Sequence, residues 1–220
     1  MAEILNDVPA YNQMIHSQTV SFLGDPEAPL RILILGNSIT RHGPKEEIGW
    51  PHDWGMAASC QEKDFVHRLY TMLTQSGQNV YMMIRQCAGW EREFRGKQNL
   101  EDFAGERNFA ANVIIFRLCE NVAMEDVPCF GEAARELVQY LRPEGCRVIV
   151  TSSFWPSREK DPVLEQLARE VEGTFVDIGY QDDGMLALGK FEHRGVSIHP
   201  GDAGMEMIAD RLFDGLSKGE

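Results

Sequence analysis

The sequence predicts an α/β fold: a three-layer α/β/α sandwich around a central, mostly parallel sheet of five strands. Three observations lead to this prediction. Short, continuous apolar runs recur along the chain, amphipathic helical patterns lie between them, and Gly or Pro marks the ends of the segments. Continuous apolar runs are typical of strands buried on both faces of a parallel sheet. The chain has 220 residues, of which 43% are hydrophobic, so it can bury a substantial core.

Five apolar runs are the predicted strands. The first run ends at a glycine, and the last is the weakest because it carries an aspartate. In chain order the runs are Arg31–Leu35, Val80–Ile84, Val113–Phe116, Val148–Val150 and Phe175–Ile178. Their alternation with helical segments indicates a layered α/β domain.

Four amphipathic segments predict helices, because apolar side chains recur in each at the spacing of one helix face. They are Phe65–Leu73, Phe130–Leu141, Leu164–Val171 and Met205–Leu216. The chain shows no linker and no internal repeat. We therefore expect one domain over residues 31–220, with residues 1–30 as an N-terminal extension packed on it. The pattern at Thr19–Leu23 within the extension also fits a strand.

Composition excludes several classes of function. The chain has 21 Lys and Arg against 34 Asp and Glu, a net charge of −13, which argues against binding to nucleic acid or an anionic membrane. No run of 18 apolar residues predicts a membrane span, and the N-terminus lacks the pattern of a secretory signal. Five widely spaced cysteines indicate reduced thiols and a cytoplasmic protein. The scattered cysteines and histidines predict no metal site.

Ligands of parallel α/β sheets bind at the carboxyl ends of the strands, so the loops there carry the candidate site. The first strand is followed by Gly36–Thr40, with the sequence GNSIT. A serine at such a strand-to-helix turn exposes its hydroxyl and can supply a backbone N–H to an oxyanion. Ser38 is therefore a candidate nucleophile; the alternative is a helix N-cap.

Three further loops each carry one candidate. His199 precedes a proline at the start of the last helix, where it is either a general base or a surface histidine. Asn121 follows the third strand and either donates to an oxyanion or turns the chain. Gly89 follows the second strand and either admits a substrate to its N–H or forms a plain turn.

The order of these four residues resembles the SGNH hydrolase family, the GDSL-like esterases. The GNSI sequence is similar to the Gly-Asp-Ser-Leu block, and Leu118–Asn121 resembles the Gly-x-Asn-Asp block. The resemblance implies a flavodoxin-like fold and an esterase, acetylesterase or lipase without a cofactor. It implies Ser38 as nucleophile, His199 as general base, and an oxyanion hole of the Ser38 and Gly89 N–H groups with the Asn121 side chain.

One departure concerns the histidine. The family usually has Asp three residues before it, and this chain has Val196 there. Three explanations stay open. A backbone carbonyl holds His199 and leaves a Ser–His dyad; a carboxylate from elsewhere does so, with Glu120 and Glu192 as candidates; or catalysis is lost. Asn37 and Cys119 also replace the usual Asp and Gly of the family's blocks, and Val122 stands at the usual Asp that follows the family's Asn.

The loops also bear on the substrate. Four tryptophans follow the strands at the predicted catalytic edge, where they either stack on a sugar ring or cover the core: Trp50, Trp54, Trp90 and Trp155. The loop of residues 41–59 is long for a βα connection, which favours a functional role. We expect a small O-acyl ester as substrate, such as an acetylated sugar. The alternatives are an acyltransferase and a non-catalytic carbohydrate-binding module, and the sequence leaves the oligomeric state open.

Overall fold

The computed structural model describes residues 4–5, 20–97 and 100–217, and the sheet in it has seven strands. They are β1 (Ile4–Leu5), β2 (Val20–Gly24), β3 (Leu30–Gly36), β4 (Val80–Gln86), β5 (Val113–Phe116), β6 (Arg147–Thr151) and β7 (Thr174–Val176). Their order across the sheet is β1-β2-β4-β3-β5-β6-β7. The strands β3 to β7 are parallel and correspond to the five predicted strands.

The predicted count of five strands is too low, because two antiparallel strands extend the sheet beyond β4. Strand β2 pairs with β4, and β1 pairs with β2. Phe22 of β2 stacks on Tyr81 of β4 with ring centroids 5.5 Å apart. Residues 20–24 thus belong to the same sheet as the strands of the predicted domain. The predicted strand start, Thr19, lies outside the described residues.

Seven α-helices lie in the described parts of the chain, five of them between strands and two after β7. They are α1 (Phe65–Gln75), α2 (Ala88–Lys97), α3 (Ala104–Asn108), α4 (Val127–Leu141), α5 (Asp161–Glu170), α6 (Arg194–Ser197) and α7 (Asp202–Ser217). The four predicted helices correspond to α1, α4, α5 and α7. Helices α2, α3 and α6 were not predicted, because α2 is polar and the other two span about one turn.

Alternation along the strands divides the core into two layers. In β3, Leu33 and Leu35 point to one face of the sheet, where α2, α4 and α5 pack. Ile32 and Ile34 point to the other face, where α1 and α7 pack. Burial on both faces explains the continuous apolar runs in the sequence. The predicted three-layer α/β/α sandwich is confirmed.

The strand order determines which loops meet at the carboxyl edge of the sheet. Strand β3 lies between β4 and β5, so the loop after β3 is flanked by the loops that follow its two neighbours. Within the described ranges, no helix is long and apolar enough to cross a membrane.

Candidate active site

The turn after β3 presents Ser38. A Cβ atom on Gly36 would lie 1.8 Å from Thr40 Oγ1, so only glycine fits where the strand ends. The Asn37 carbonyl then accepts from the N–H groups of Thr40 and Arg41, at 2.9 and 3.0 Å, which closes a tight turn. Ser38 is half-buried at the top of this turn, between the start of α2, which holds Gly89, and the loop that carries Asn121.

Ser38 and His199 are in direct contact. Ser38 Oγ lies 2.8 Å from His199 Nε2, and His199 Nδ1 lies 2.5 Å from the Gly195 carbonyl oxygen. Because a carbonyl oxygen only accepts, the proton of the neutral ring is on Nδ1. Nε2 is then an unprotonated acceptor for the Ser38 hydroxyl. This tautomer is the one that a general base for a serine requires.

The two glutamates predicted as candidates to orient His199 do not do so. Glu120 is held by Arg117, by Asn37 Nδ2 at 2.6 Å and by the Phe154 N–H at 3.1 Å. Glu192 is exposed on the surface. The position of the missing acid, Val196, is fully buried in an apolar cluster. A backbone carbonyl therefore orients the ring, as the first of the three explanations has it.

Burial lowers the pKa of His199 to about 4. The Gly195 carbonyl works against this shift, because it accepts from the ring, whereas the nearby His42 and Arg117 add to it. A basic group with a lowered pKa stays neutral at pH 7. His199 is therefore in the form that can accept a proton across the physiological range.

A buried carboxylate, Glu91, lies behind the predicted oxyanion hole. It follows Gly89 by two residues in the first turn of α2 and is fully buried. Its carboxylate accepts from Asn121 Nδ2 at 2.6 Å, from the Cys119 N–H at 2.7 Å and from Asn37 Nδ2 at 3.1 Å. Glu91 was not predicted from the sequence, although an acidic residue two positions after Gly89 was a usable signal.

Asn37 joins the two buried glutamates. Its Nδ2 group donates to both Glu91 and Glu120, and its Oδ1 accepts from Arg117 at 2.7 Å. Burial, and then the charge of Glu120, raise the pKa of Glu91 to about 7. Burial opposes ionisation of Glu120 as well, but Arg117 and its hydrogen-bond donors hold the pKa of Glu120 below its ordinary value. The asparagine thus supplies the donors that two adjacent carboxylates need.

The prediction that all four tryptophans contact substrate is wrong for two of them. Trp50 is completely buried and donates to the His42 carbonyl, and Trp90 packs on Phe116 and Phe130 in the core. These two residues cover the core, which was the alternative interpretation.

The other two tryptophans are partly exposed. Trp54 stacks on His52 with ring centroids 4.1 Å apart. Trp155 meets His199 edge to face at 5.3 Å, and its Nε1 donates to the Ile198 carbonyl. Trp155 therefore covers the proposed base directly.

The long loop of residues 41–59 is folded onto the histidine loop. Two isolated antiparallel bridges, His42 with Trp54 and Lys45 with Trp50, close it on itself. Its apolar side chains pack on the segment before His199, in a cluster formed by Trp50, Met56, Ala57, Ala187 and Val196. The loop thereby stabilises the segment that carries Gly195.

The two buried thiols near the site, Cys87 and Cys119, do not compete with Ser38. Burial raises the pKa of Cys87 to about 12 and that of Cys119 well above its ordinary value. Both thiols are therefore protonated and weak nucleophiles at neutral pH. In the part of the chain that the structure describes, no group of three or more His, Cys, Asp or Glu could hold a metal ion.

Comparison with known proteins identifies the fold. No protein-family model and no curated protein sequence matches this chain. The esterase EstA from Pseudoalteromonas sp. is similar in structure, with 13% identity, a TM-score of 0.57, and coverage of 86% of this chain and 97% of that one. A family two carbohydrate esterase from Clostridium thermocellum, solved with cellohexaose, gives 14% identity, a TM-score of 0.54 and coverage of 87% and 64%.

A third similar structure is a two-domain esterase, CEX, active on acetylated mannans and crystallised with mannopentaose. It gives 17% identity, a TM-score of 0.55, and coverage of 86% of this chain and 50% of that one. At such identities the likeness concerns the fold.

Proposed function

We propose that this chain, whose fold is that of the SGNH/GDSL-like hydrolases, is a serine ester hydrolase that acts through a Ser38–His199 dyad. One observation carries the proposal: Ser38 Oγ lies 2.8 Å from His199 Nε2, while the Gly195 carbonyl keeps the ring proton on Nδ1. A serine alone, or a histidine in the other tautomer, would not support this chemistry.

The first half of the reaction forms an acyl-enzyme. His199 Nε2 takes the proton of Ser38 as Oγ attacks the ester carbonyl carbon. The N–H groups of Ser38 and Gly89 and the Asn121 side chain donate to the oxyanion. When this intermediate collapses, the bond to the alcohol oxygen breaks, and the proton on Nε2 passes to the leaving alcohol.

The second half releases the acyl group. Water gives a proton to Nε2 as its oxygen attacks the acyl carbon, and the second oxyanion uses the same donors. Collapse of that intermediate breaks the bond to Ser38 Oγ, which recovers its proton from His199. The products are a carboxylic acid and the free enzyme. The Gly195 carbonyl is uncharged, so it orients the imidazole but stabilises the imidazolium less than a carboxylate would.

The substrate that we propose is a small O-acyl ester, an acetyl group on a sugar or another alcohol. Two of the similar structures are carbohydrate-active esterases, one described with cellohexaose and one as active on acetylated mannans. In this chain the Trp54–His52 stack and Trp155 offer partly exposed rings, and a sugar ring stacks readily on a flat aromatic face. We further propose that the protein is cytoplasmic and needs no cofactor.

The test is labelling with a fluorophosphonate, followed by intact-mass spectrometry. We expect a single adduct on the wild type, none on Ser38→Ala, and much slower labelling of His199→Ala. Ser76→Ala is the matched control, because Ser76 is exposed at the end of α1, just before β4 begins. The proposal is supported if the adduct is lost in Ser38→Ala and kept in Ser76→Ala. An unlabelled wild type contradicts it.

A second assay separates hydrolysis from the two alternatives. Wild type and Ser38→Ala are incubated with p-nitrophenyl acetate and with acetylated xylose or mannose oligosaccharides, with and without a free sugar acceptor. Acetate release that depends on Ser38 supports the hydrolase. Transfer of the acetyl group to the acceptor would favour an acyltransferase. Sugar binding without turnover in either protein would favour a binding module.

A further inference from the structure

Two charged side chains hold opposite ends of the Asn121 amide. Its Nδ2 donates to Glu91 Oε2 at 2.6 Å, and its Oδ1 accepts from Arg92 Nη2 at 2.9 Å. Glu91 and Arg92 are neighbours at the start of α2, whereas Asn121 lies in the loop after β5. The amide is therefore fixed in one of its two flip states, with its nitrogen on the carboxylate side.

Four hydrogen bonds from described residues reach the Glu91 carboxylate, and Asn121 contributes its backbone N–H at 3.5 Å as well as its Nδ2. Besides Asn121 Nδ2, the Cys119 N–H and Asn37 Nδ2 point at its carboxylate. A fully buried carboxylate without these donors would be strongly unfavourable, and with them it is a rigid anchor. Asn37 precedes Ser38, so the same carboxylate reaches the nucleophile's turn and the loop that carries Asn121.

We propose that Glu91 and Arg92 are positioning residues that clamp the Asn121 amide, so that its second Nδ2 hydrogen points at the oxyanion formed on Ser38. An amide nitrogen has two hydrogens, and Glu91 uses one of them. The inference rests on the proposed function. It assigns to α2 a role in transition-state stabilisation that acts through Asn121, without contact between either charged side chain and the substrate.

The clamp explains two departures from the family's sequence blocks together. A neutral asparagine at position 37 can donate to Glu91, which an aspartate could not do. The residue at 119 offers its backbone N–H to the same carboxylate, so a side chain there is no obstacle. The clamp thus uses two of the positions at which this chain differs from the usual blocks.

The experiment is a double-mutant cycle on kcat, with p-nitrophenyl acetate as the probe. Asn121→Ala is expected to lower kcat by about 10² to 10³, the usual loss for one oxyanion donor. Glu91→Gln is expected to lower kcat by about tenfold or more with little change in KM. The glutamine NH₂ group would face at least one of the N–H donors that now bind the carboxylate, so that hydrogen bond is lost. In the Asn121→Ala background, Glu91→Gln should change kcat by less than about twofold.

Arg92→Met provides the second arm, because Arg92 is exposed and its replacement does not disturb the core. We expect kcat to fall about threefold or more, since a charge-assisted hydrogen bond to Asn121 is lost, and to fall no further in the Asn121→Ala background. Glu93→Gln is the matched control, an exposed glutamate on the same helix, and should behave as the wild type.

The outcomes separate the clamp from the proposed function. Every variant is first titrated with fluorophosphonate. An unlabelled wild type means that the serine hydrolase proposal itself fails. Two results with a labelled wild type would overturn the clamp alone. In the first, the losses of kcat in Glu91→Gln and Arg92→Met multiply fully with the loss in Asn121→Ala. In the second, kcat is unchanged in both Glu91→Gln and Arg92→Met. The clamp is supported if Glu91→Gln and Arg92→Met lower kcat only in proteins that retain Asn121.

Discussion

The carbonyl oxygen of Gly195 accepts from His199 Nδ1 at 2.5 Å, four residues along the chain. The short helix α6 produces this relationship. The His199 N–H donates to the Val196 carbonyl at 3.0 Å, so the chain turns back just after α6 and brings the ring under Gly195. The Val196 side chain packs in the apolar cluster around Trp50. The valine therefore anchors the loop whose backbone orients the base.

Restoring an acid at position 196 should damage the protein rather than create a triad. Val196 is fully buried against Trp50 and Met56, where a carboxylate finds apolar neighbours. We expect Val196→Asp to lower the free energy of unfolding by about 3 kcal/mol or more, with no gain in kcat. Urea unfolding and esterase assays measure both quantities.

Val196→Ala is the control for that variant. It removes two methyl groups without adding charge and should lower the free energy of unfolding by about 2 kcal/mol. If Val196→Asp were as stable as the wild type and had a higher kcat, the carboxylate would have reached His199 Nδ1, and the anchoring role of Val196 would be wrong.

The pH profile of activity should show the lowered pKa of the base. His199 accepts a proton only when neutral, and burial lowers its pKa to about 4. We therefore expect kcat/KM to be lost completely only as pH falls through about 4, whereas an ordinary histidine would lose it near 6.5. Circular dichroism at each pH checks that the protein stays folded.

Glu91 is the second group that titrates in this range, because its pKa is raised to about 7. The profile is therefore also measured for Glu91→Gln, in which any partial step near pH 7 is removed. A complete loss of activity near pH 6.5 that persists in Glu91→Gln would contradict the shift assigned to His199.

Most of the fold could be predicted from sequence pattern, because the strands β3 to β6 are buried on both faces. Continuous apolar runs mark such strands, and amphipathic spacing marks the helices that cover them. Strand β1 has two residues and gives no pattern. The polar helix α2 contributes buried side chains such as Trp90 and Phe94 but otherwise carries charges, so its periodicity is weak.

The site was predictable only in part, and the reason is the nature of its contacts. Ser38 and His199 could be identified because a nucleophile and a base need particular residue types in particular loops. The partner of His199 could not, because a backbone carbonyl leaves no trace in residue identity. The burial of Trp50 and Trp90 depends on how loops fold back on the sheet, which local sequence does not determine.

Trp155 should set the pKa of the base as well as its position. Its ring covers His199 edge to face, and burial is the largest cause of the lowered pKa. Trp155→Ala would admit water to the imidazole, so we expect the acid limb of kcat/KM to move up by about one pH unit. Trp155→Phe keeps a ring and should move it less. Trp54→Ala is the control, a half-buried tryptophan that stacks on His52 instead, and an equal shift in that variant would argue against a local effect.

Replacing Asn37 by the aspartate that is usual in the family this chain resembles should destabilise the protein. Asn37 Nδ2 donates to Glu91 and Glu120, so Asn37→Asp removes both hydrogen bonds and sets a third carboxylate against two buried ones. We expect the free energy of unfolding to fall by about 3–5 kcal/mol, the cost of breaking a buried charged network. The activity should fall with it, because Ser38 follows in the same turn.

The matched control exchanges the amide and the carboxylate between the two positions. Asn37→Asp combined with Glu120→Gln keeps the number of carboxylates near Arg117, and the new glutamine can donate to the new aspartate. Urea unfolding should show that the double variant recovers part of the stability lost in Asn37→Asp. Equal stability of Asn37→Asp and wild type would mean that the two glutamates do not depend on Asn37. A double variant less stable than either single variant would mean that Glu120 is held mainly by Arg117 and the Phe154 N–H.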